Sequence, residues 1–128
     1  MRVLKLSFSK ADFIKIVDAD KTLEIRASGY NDPPELFRHN RPRPSAGHHL
    51  VLFCPKLKGY MPLRAIRAVR TVAIYMEDSQ PLWINGEPVA QFEQNVFAKK
   101  AGYPNWASFA FAVATKYGME FDGYSIEW

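Results

Sequence analysis

Between Asn105 and Trp128 the hydrophobic period switches from that of a helix to that of a strand, and no other feature narrows the fold class as far. Trp106, Phe109, Ala110, Val113, Ala114 and Tyr117 recur at the i, i+3, i+4, i+7, i+8, i+11 spacing of a single helix face. Asn105 stands at the N-cap and Gly118 closes the last turn. Tyr124, Ile126 and Trp128 then alternate with Ser125 and Glu127, the period of a strand. A one-faced helix running into a one-faced strand has to bury both stripes against other elements, which calls for helices on a sheet.

The preceding chain supplies the other strands. Val3, Leu4, Leu6 and Phe8 predict a first, largely buried strand, and Ser9 with Asp12 resembles a capping box ahead of a helix that buries Phe13, Ile14 and Val17. Lys21–Arg26 reads as extended, because Leu23 and Ile25 alternate with Thr22, Glu24 and Arg26. Ala27–Gly47 is rich in Gly, Pro, Asn and Ser, and about twenty residues without an element is long enough to suggest function. It reads either as a mobile arm that closes over a ligand or as a plain insertion that covers a barrel end. His49–Cys54 predicts a second buried strand, Leu63–Tyr75 a strand with a kink, and Leu82–Ile84 a short strand ending at the Asn85-Gly86 turn. Pro88 suits the first position of a helix that buries Val89, Phe92, Val96 and Phe97, runs to about Ala101 and stops at Gly102. The expectation is one α+β domain over residues 1–128, a small β-barrel with flanking α-helices.

Composition bounds the function. At 48% hydrophobic, the 128 residues are too apolar for a disordered chain. The single cysteine, Cys54, excludes an internal disulfide framework and follows an apolar run, so a buried inert thiol is expected. No apolar run approaches the roughly 18 residues of a membrane span, and MRVLKLSFSKADF lacks the core of a secretion signal. A cytoplasmic protein without membrane contact is expected. His48 and His49 would point to opposite sides of a strand, a poor metal pair. No Walker loop, dinucleotide glycine motif, nucleophile elbow or metalloprotease helix occurs, so neither metal nor cofactor is expected.

Net charge is +4, yet no acidic residue occurs between Glu35 and Glu77. That window carries Arg38, Arg41, Arg43, Lys56, Lys58, Arg64, Arg67 and Arg70, interleaved with Phe37, Phe53, Tyr60 and Tyr75. Spaced cations neutralise phosphates and aromatic faces stack unpaired bases, so the pattern points to nucleic acid. The plain alternative is a solvated basic face.

The densest polar cluster is Lys21, Glu24 and Arg26 in DADKTLEIR. A lysine lining a partly dry cleft can serve as base or nucleophile, a carboxylate can position water or accept a proton, and an arginine can clamp a phosphate or carbonyl. In a regular strand Glu24 and Arg26 share a face that Lys21 does not, so the three converge only if Lys21 lies in an irregular turn entering the strand. Otherwise the cluster is a surface ion pair contributing roughly 0–1 kcal/mol.

LKLSFSKADFIKIVDADKTLEIR resembles the opening of the ASCH family (activating-signal-cointegrator homology) of the PUA-like superfamily, whose hallmark is Gly-x-Lys-x-x-Glu-x-Arg. Lys21, Glu24 and Arg26 fill its last three fixed places, and Ala19 stands where glycine is usual. The stretch from Ile84 to Trp128 is similar to the family's closing block. Its xDG turn falls at Asn85-Gly86, its A-x-x-x-GF helix end at Ala98 to Tyr103, and its sW helix start at Asn105-Trp106. Its hG ending falls at Tyr117-Gly118, and its FxGxxIxW strand at Phe121, Gly123, Ile126 and Trp128, while Ala27–Gln80 aligns loosely. The resemblance implies a PUA-like barrel with a cleft at the signature motif and a role in RNA binding. Some members act as ribonucleases. Others hydrolyse N4-acetylcytidine with a lysine, a threonine and a glutamate; Lys21 matches that lysine, but Glu24 stands in the place of the threonine.

The leading expectation is therefore an RNA or nucleotide-like ligand. Lys21 and Arg26 would meet phosphate at the cleft, Glu24 would handle protons, and Arg38, Arg41, Arg43, Lys56, Lys58 and Arg64 would extend the track. Tyr30 or Tyr60 would stack a base. The alternatives are an amidohydrolase acting on a modified nucleoside and a module that binds an acidic protein; monomer and dimer both stay open.

Overall fold

The computed structural model describes residues 3–27, 47–62 and 64–128. Strand β1 (Val3–Ser7) leads to Ser9, whose Oγ accepts the Asp12 N–H at 3.2 Å and starts helix α1 (Lys10–Val17). Strands β2 (Leu23–Ala27), β3 (His49–Cys54), β4 (Gly59–Tyr60), β5 (Arg64–Ala65), β6 (Ala68–Tyr75), β7 (Leu82–Ile84) and β8 (Glu87–Pro88) follow. Helices α2 (Gln91–Lys100) and α3 (Trp106–Tyr117) precede the closing strand β9 (Glu120–Glu127).

The strands make two sheets. In the first, β1 runs parallel to β3, whose other edge pairs antiparallel with β4 and then β5. Phe53 faces Tyr60 while Leu50 faces Arg64, so the partner carries one residue more than β3 between those pairs, a bulge. The second sheet is antiparallel in the order β2-β9-β6-β7-β8. The chain crosses between sheets at Ile66 and Arg67, whose N–H groups donate to the carbonyls of His48 at 2.6 Å and Glu127 at 2.8 Å. This is the kink expected in Leu63–Tyr75.

Two apolar clusters hold the layers. Leu6, Phe8, Leu50, Leu52 and Cys54 meet Tyr124, Ile126 and Trp128 between the sheets, with Phe13 and Ile16 of α1. On the other face of the second sheet, Leu23, Ile25, Val72, Ile74 and Phe121 pack against Phe97, Phe109 and Val113 of the two long helices. Because both clusters meet at β9, its polar positions Ser125 and Glu127 are buried as well. Gly123 is required there: a Cβ would collide with the Arg26 carbonyl oxygen, so only glycine lets β2 lie this close.

The α+β class holds, whereas among the described residues the two sheets share no ladder and do not close into a barrel. Three local expectations are corrected. Helix α1 buries Phe13 and Ile16, leaving Ile14 and Val17 exposed. Pro88 belongs to β8, paired with Trp83, because the Asn85-Gly86 hairpin continues past the turn and an edge strand loses no ladder bond to proline. Helix α2 therefore starts at Gln91 and turns Gln94, Phe97 and Ala98 inward, with Phe92 74% exposed.

Candidate functional site

The Lys21 backbone lies in an irregular turn, the condition for convergence. After α1 the chain reverses at Ala19, whose φ of 62° is left-handed, at the position where the resembled motif carries glycine. The Asp20 and Lys21 N–H groups then both donate to the Lys15 carbonyl, at 2.8 and 3.2 Å, and the Thr22 N–H donates to the Lys100 carbonyl at 2.8 Å. The Lys21 side chain passes Gly102, whose φ of +95° and missing Cβ leave the room, and its Nζ donates to the Ala101 carbonyl at 2.7 Å.

Glu24 stands between the two cations, Oε1 3.6 Å from Lys21 Nζ and Oε2 3.7 Å from Arg26 Nη2. These spacings are ion pairs without hydrogen bonds. The Arg26 guanidinium also reaches the Ser7 carbonyl at 3.4 Å and lies 5.8 Å from the centre of the Phe8 ring, joining β2 to the edge strand of the first sheet. Among the described residues its Nε is buried without a partner.

Beside Lys21 and Glu24 is a cavity of about 140 Å³, lined also by Asp12, Tyr103, Phe109 and Lys116. That is less than half the roughly 300 Å³ where drug-sized pockets begin, so it suits one base edge or acyl group. Its charged lining balances, Asp12 and Glu24 against Lys21 and Lys116, where sequence reasoning expected a positive cleft. Burial first, and then the Asp12 and Glu24 carboxylates, push the Tyr103 phenol above its ordinary value, so it stays an O–H donor. Lys21 is only 2% exposed and its ammonium is tied to the Ala101 carbonyl, which takes it out of reach of a polymer backbone.

The expected basic track is divided. Arg38, Arg41, Arg43 and Tyr30 lie outside the described residues. Lys56 and Lys58 are exposed on the turn between β3 and β4. Tyr60, 61% exposed, stacks on Phe53 with ring centres 5.6 Å apart and planes 16° apart. Lys5 adds a cation 4.4 Å from the Phe53 ring centre, a contact the sequence did not suggest. Across the bulge Arg64 faces Leu50, on the core side of the sheet, so it does not share a surface with Tyr60.

A second cluster was not foreseen. Glu127 accepts Arg70 Nη1 at 3.1 Å and Lys100 Nζ at 3.0 Å beside a cavity of about 500 Å³. Burial alone would raise its carboxyl, but the hydrogen bonds and charges of Lys100 and Arg70 prevail and hold it below the usual carboxylate range. In sequence Glu127 occupies a polar place in an alternating strand; only the coverage of β9 on both faces reveals it. Among the described residues no three His, Cys, Asp or Glu side chains gather to hold a metal ion, and no helix is long and apolar enough to cross a membrane. No protein-family model matches the chain, nor does any curated protein or solved structure.

Proposed function

We propose that the chain is a cytoplasmic RNA-binding domain of the ASCH type, its two sheets corresponding to the halves of a PUA-like barrel. The observation that carries this reading is Arg26, which links two surfaces: the charge-balanced cavity at Glu24 and, through the end of β1, the face bearing Lys5, Phe53 and Tyr60. Ser7 pairs with Phe53, which pairs with Tyr60, so the path across β1, β3 and β4 is continuous. An unpaired base stacks on Tyr60, phosphates meet Lys5, Lys56 and Lys58, and one base edge enters the cavity against Glu24 and Tyr103. Fluorescence anisotropy of a labelled single-stranded RNA over a salt series tests it. Log K should fall by roughly 0.7 per phosphate contact, and Tyr60→Ala should cost about 1–3 kcal/mol. Binding that is absent, or indifferent to salt, contradicts the reading.

A hydrolytic reading rests on the size and balance of the cavity. Glu24 would take a proton from water as the water's oxygen bonds to an acyl carbon, the Tyr103 hydroxyl would hold the acyl oxygen, and the acyl C–N bond would break as Glu24 returns that proton to the leaving nitrogen. Incubating acetylated cytidine and labelled RNA with wild type, Glu24→Gln and Tyr103→Phe tests it. Turnover surviving both substitutions removes this site.

A further inference from the structure

Along β6 and β9, the face that meets the first sheet at Val69, Tyr124 and Ile126 continues beyond it as Ala73, Tyr75 and Asp122. Ala73 lies directly opposite Asp122 on one side and Trp83 on the other, so the three form a row across the sheet. Cross-strand partners share a face, and the small middle residue leaves a trough between two taller walls. Its volume is about 500 Å³, with Thr71 and Tyr75 at its ends. The Trp83 indole is held by its Nε1–H, which donates to the Gln80 carbonyl at 2.9 Å, so that wall is fixed before any ligand arrives. Asp122 is exposed, and no lysine or arginine lines the trough among the described residues.

We propose that this trough is a binding site for a guanidinium group. Strands lie about 4.8 Å apart, which roots the Asp122 and Trp83 side chains roughly 10 Å from each other. A cation within about 6 Å of an aromatic centre and about 2.8 Å from a carboxylate oxygen spans that gap. A planar guanidinium can stack on the indole while its fork meets the carboxylate, which a spherical ammonium cannot do equally well. Phosphate is disfavoured, since among the described residues the only charged side chain in the lining is an anion. The site lies on the second sheet and needs no part of the RNA reading.

The test follows the Trp83 indole N–H resonance while the full chain is titrated with capped Gly-Gly-Arg-Gly-Gly, with the same peptide carrying citrulline, and with arginine amide. The arginine peptide should bind with a Kd of about 1 mM or tighter, and the citrulline peptide should not shift the resonance. Asp122→Asn should weaken binding at least about tenfold through the lost charge-assisted hydrogen bond. Trp83→Leu, read on the backbone amides of Ala73 and Asp122, should weaken it roughly threefold to tenfold. Equal affinity for arginine amide identifies a free guanidinium compound as sufficient; stronger binding of the peptide identifies an arginine side chain of a polypeptide. Equal shifts from the citrulline peptide, unchanged affinity in Asp122→Asn, or displacement of the arginine peptide by cytidine would overturn the proposal.

Discussion

Two carboxylates on neighbouring strands each lie between a lysine and an arginine, and their geometries are opposite. Glu127 is buried and takes both cations within hydrogen-bond distance, at 3.0 and 3.1 Å, while Lys100 and Arg70 are half-exposed. Glu24 is partly exposed and stands 3.6 and 3.7 Å from its cations, of which Lys21 is the buried one. A buried carboxylate that takes one charge-assisted hydrogen bond on each oxygen ties elements together and offers a ligand little access. Glu24 is hydrogen-bonded to neither cation and accepts the Ile25 N–H on Oε1 at 3.2 Å, so its remaining lone pairs, Oε2 above all, stay open to an incoming donor. The same three charge types thus make a tight clamp at β9 and a looser, partly exposed cluster at β2. Register joins the two, since Leu23 of β2 pairs with Glu127 itself.

The largest effect should come from the strand contact that supports both clusters. Gly123→Ala forces a Cβ against the Arg26 carbonyl, and urea unfolding should show a loss of roughly 3 kcal/mol, the upper range for overpacking. Glu127→Gln should cost about 1–2 kcal/mol, below the full value of two charged hydrogen bonds because water can rehydrate both cations. Its pH signature is distinctive. A folded carboxyl below its unfolded value stabilises above the unfolded pKa and loses that contribution as pH falls through the folded one. Acid unfolding of Glu127→Gln should therefore be less steep than that of wild type below about pH 4.5. Ala19→Gly should raise stability by up to about 1 kcal/mol, because it relieves a left-handed residue at some entropic cost. Glu24→Gln should change stability least, within about 1 kcal/mol, while abolishing any turnover; a clamp-sized loss of stability would erase the distinction between the two carboxylates.

Much of the fold was legible from local signals. Asn105 caps α3 with Oδ1 on the Ser108 N–H at 2.9 Å, Gly118 closes it, and Phe109 and Val113 face the core as their spacing requires. The convergence of Lys21 with Glu24 and Arg26 was legible as a condition, met because the chain turns at Ala19. What escaped depends on tertiary phase. The α1 stripe admits Ile14 or Ile16, and only packing against the first sheet selects Ile16. Phe92 and Pro88 were misplaced because the hairpin continues past Asn85-Gly86 and delays α2. Arg64 parts from Tyr60 through a one-residue bulge that no composition signals. Glu127 was invisible because a strand covered on both faces buries its polar positions too.

The most direct test of the central distinction is a two-dimensional NMR titration of the full chain with single-stranded RNA. The account predicts shifts at Lys5, Ser7, Glu24, Arg26, Phe53 and Tyr60, with Arg70, Lys100 and Glu127 unmoved. Shifts concentrated at Arg70, Lys100 and Glu127, or none at Arg26 and Tyr60 at saturating RNA, would contradict it.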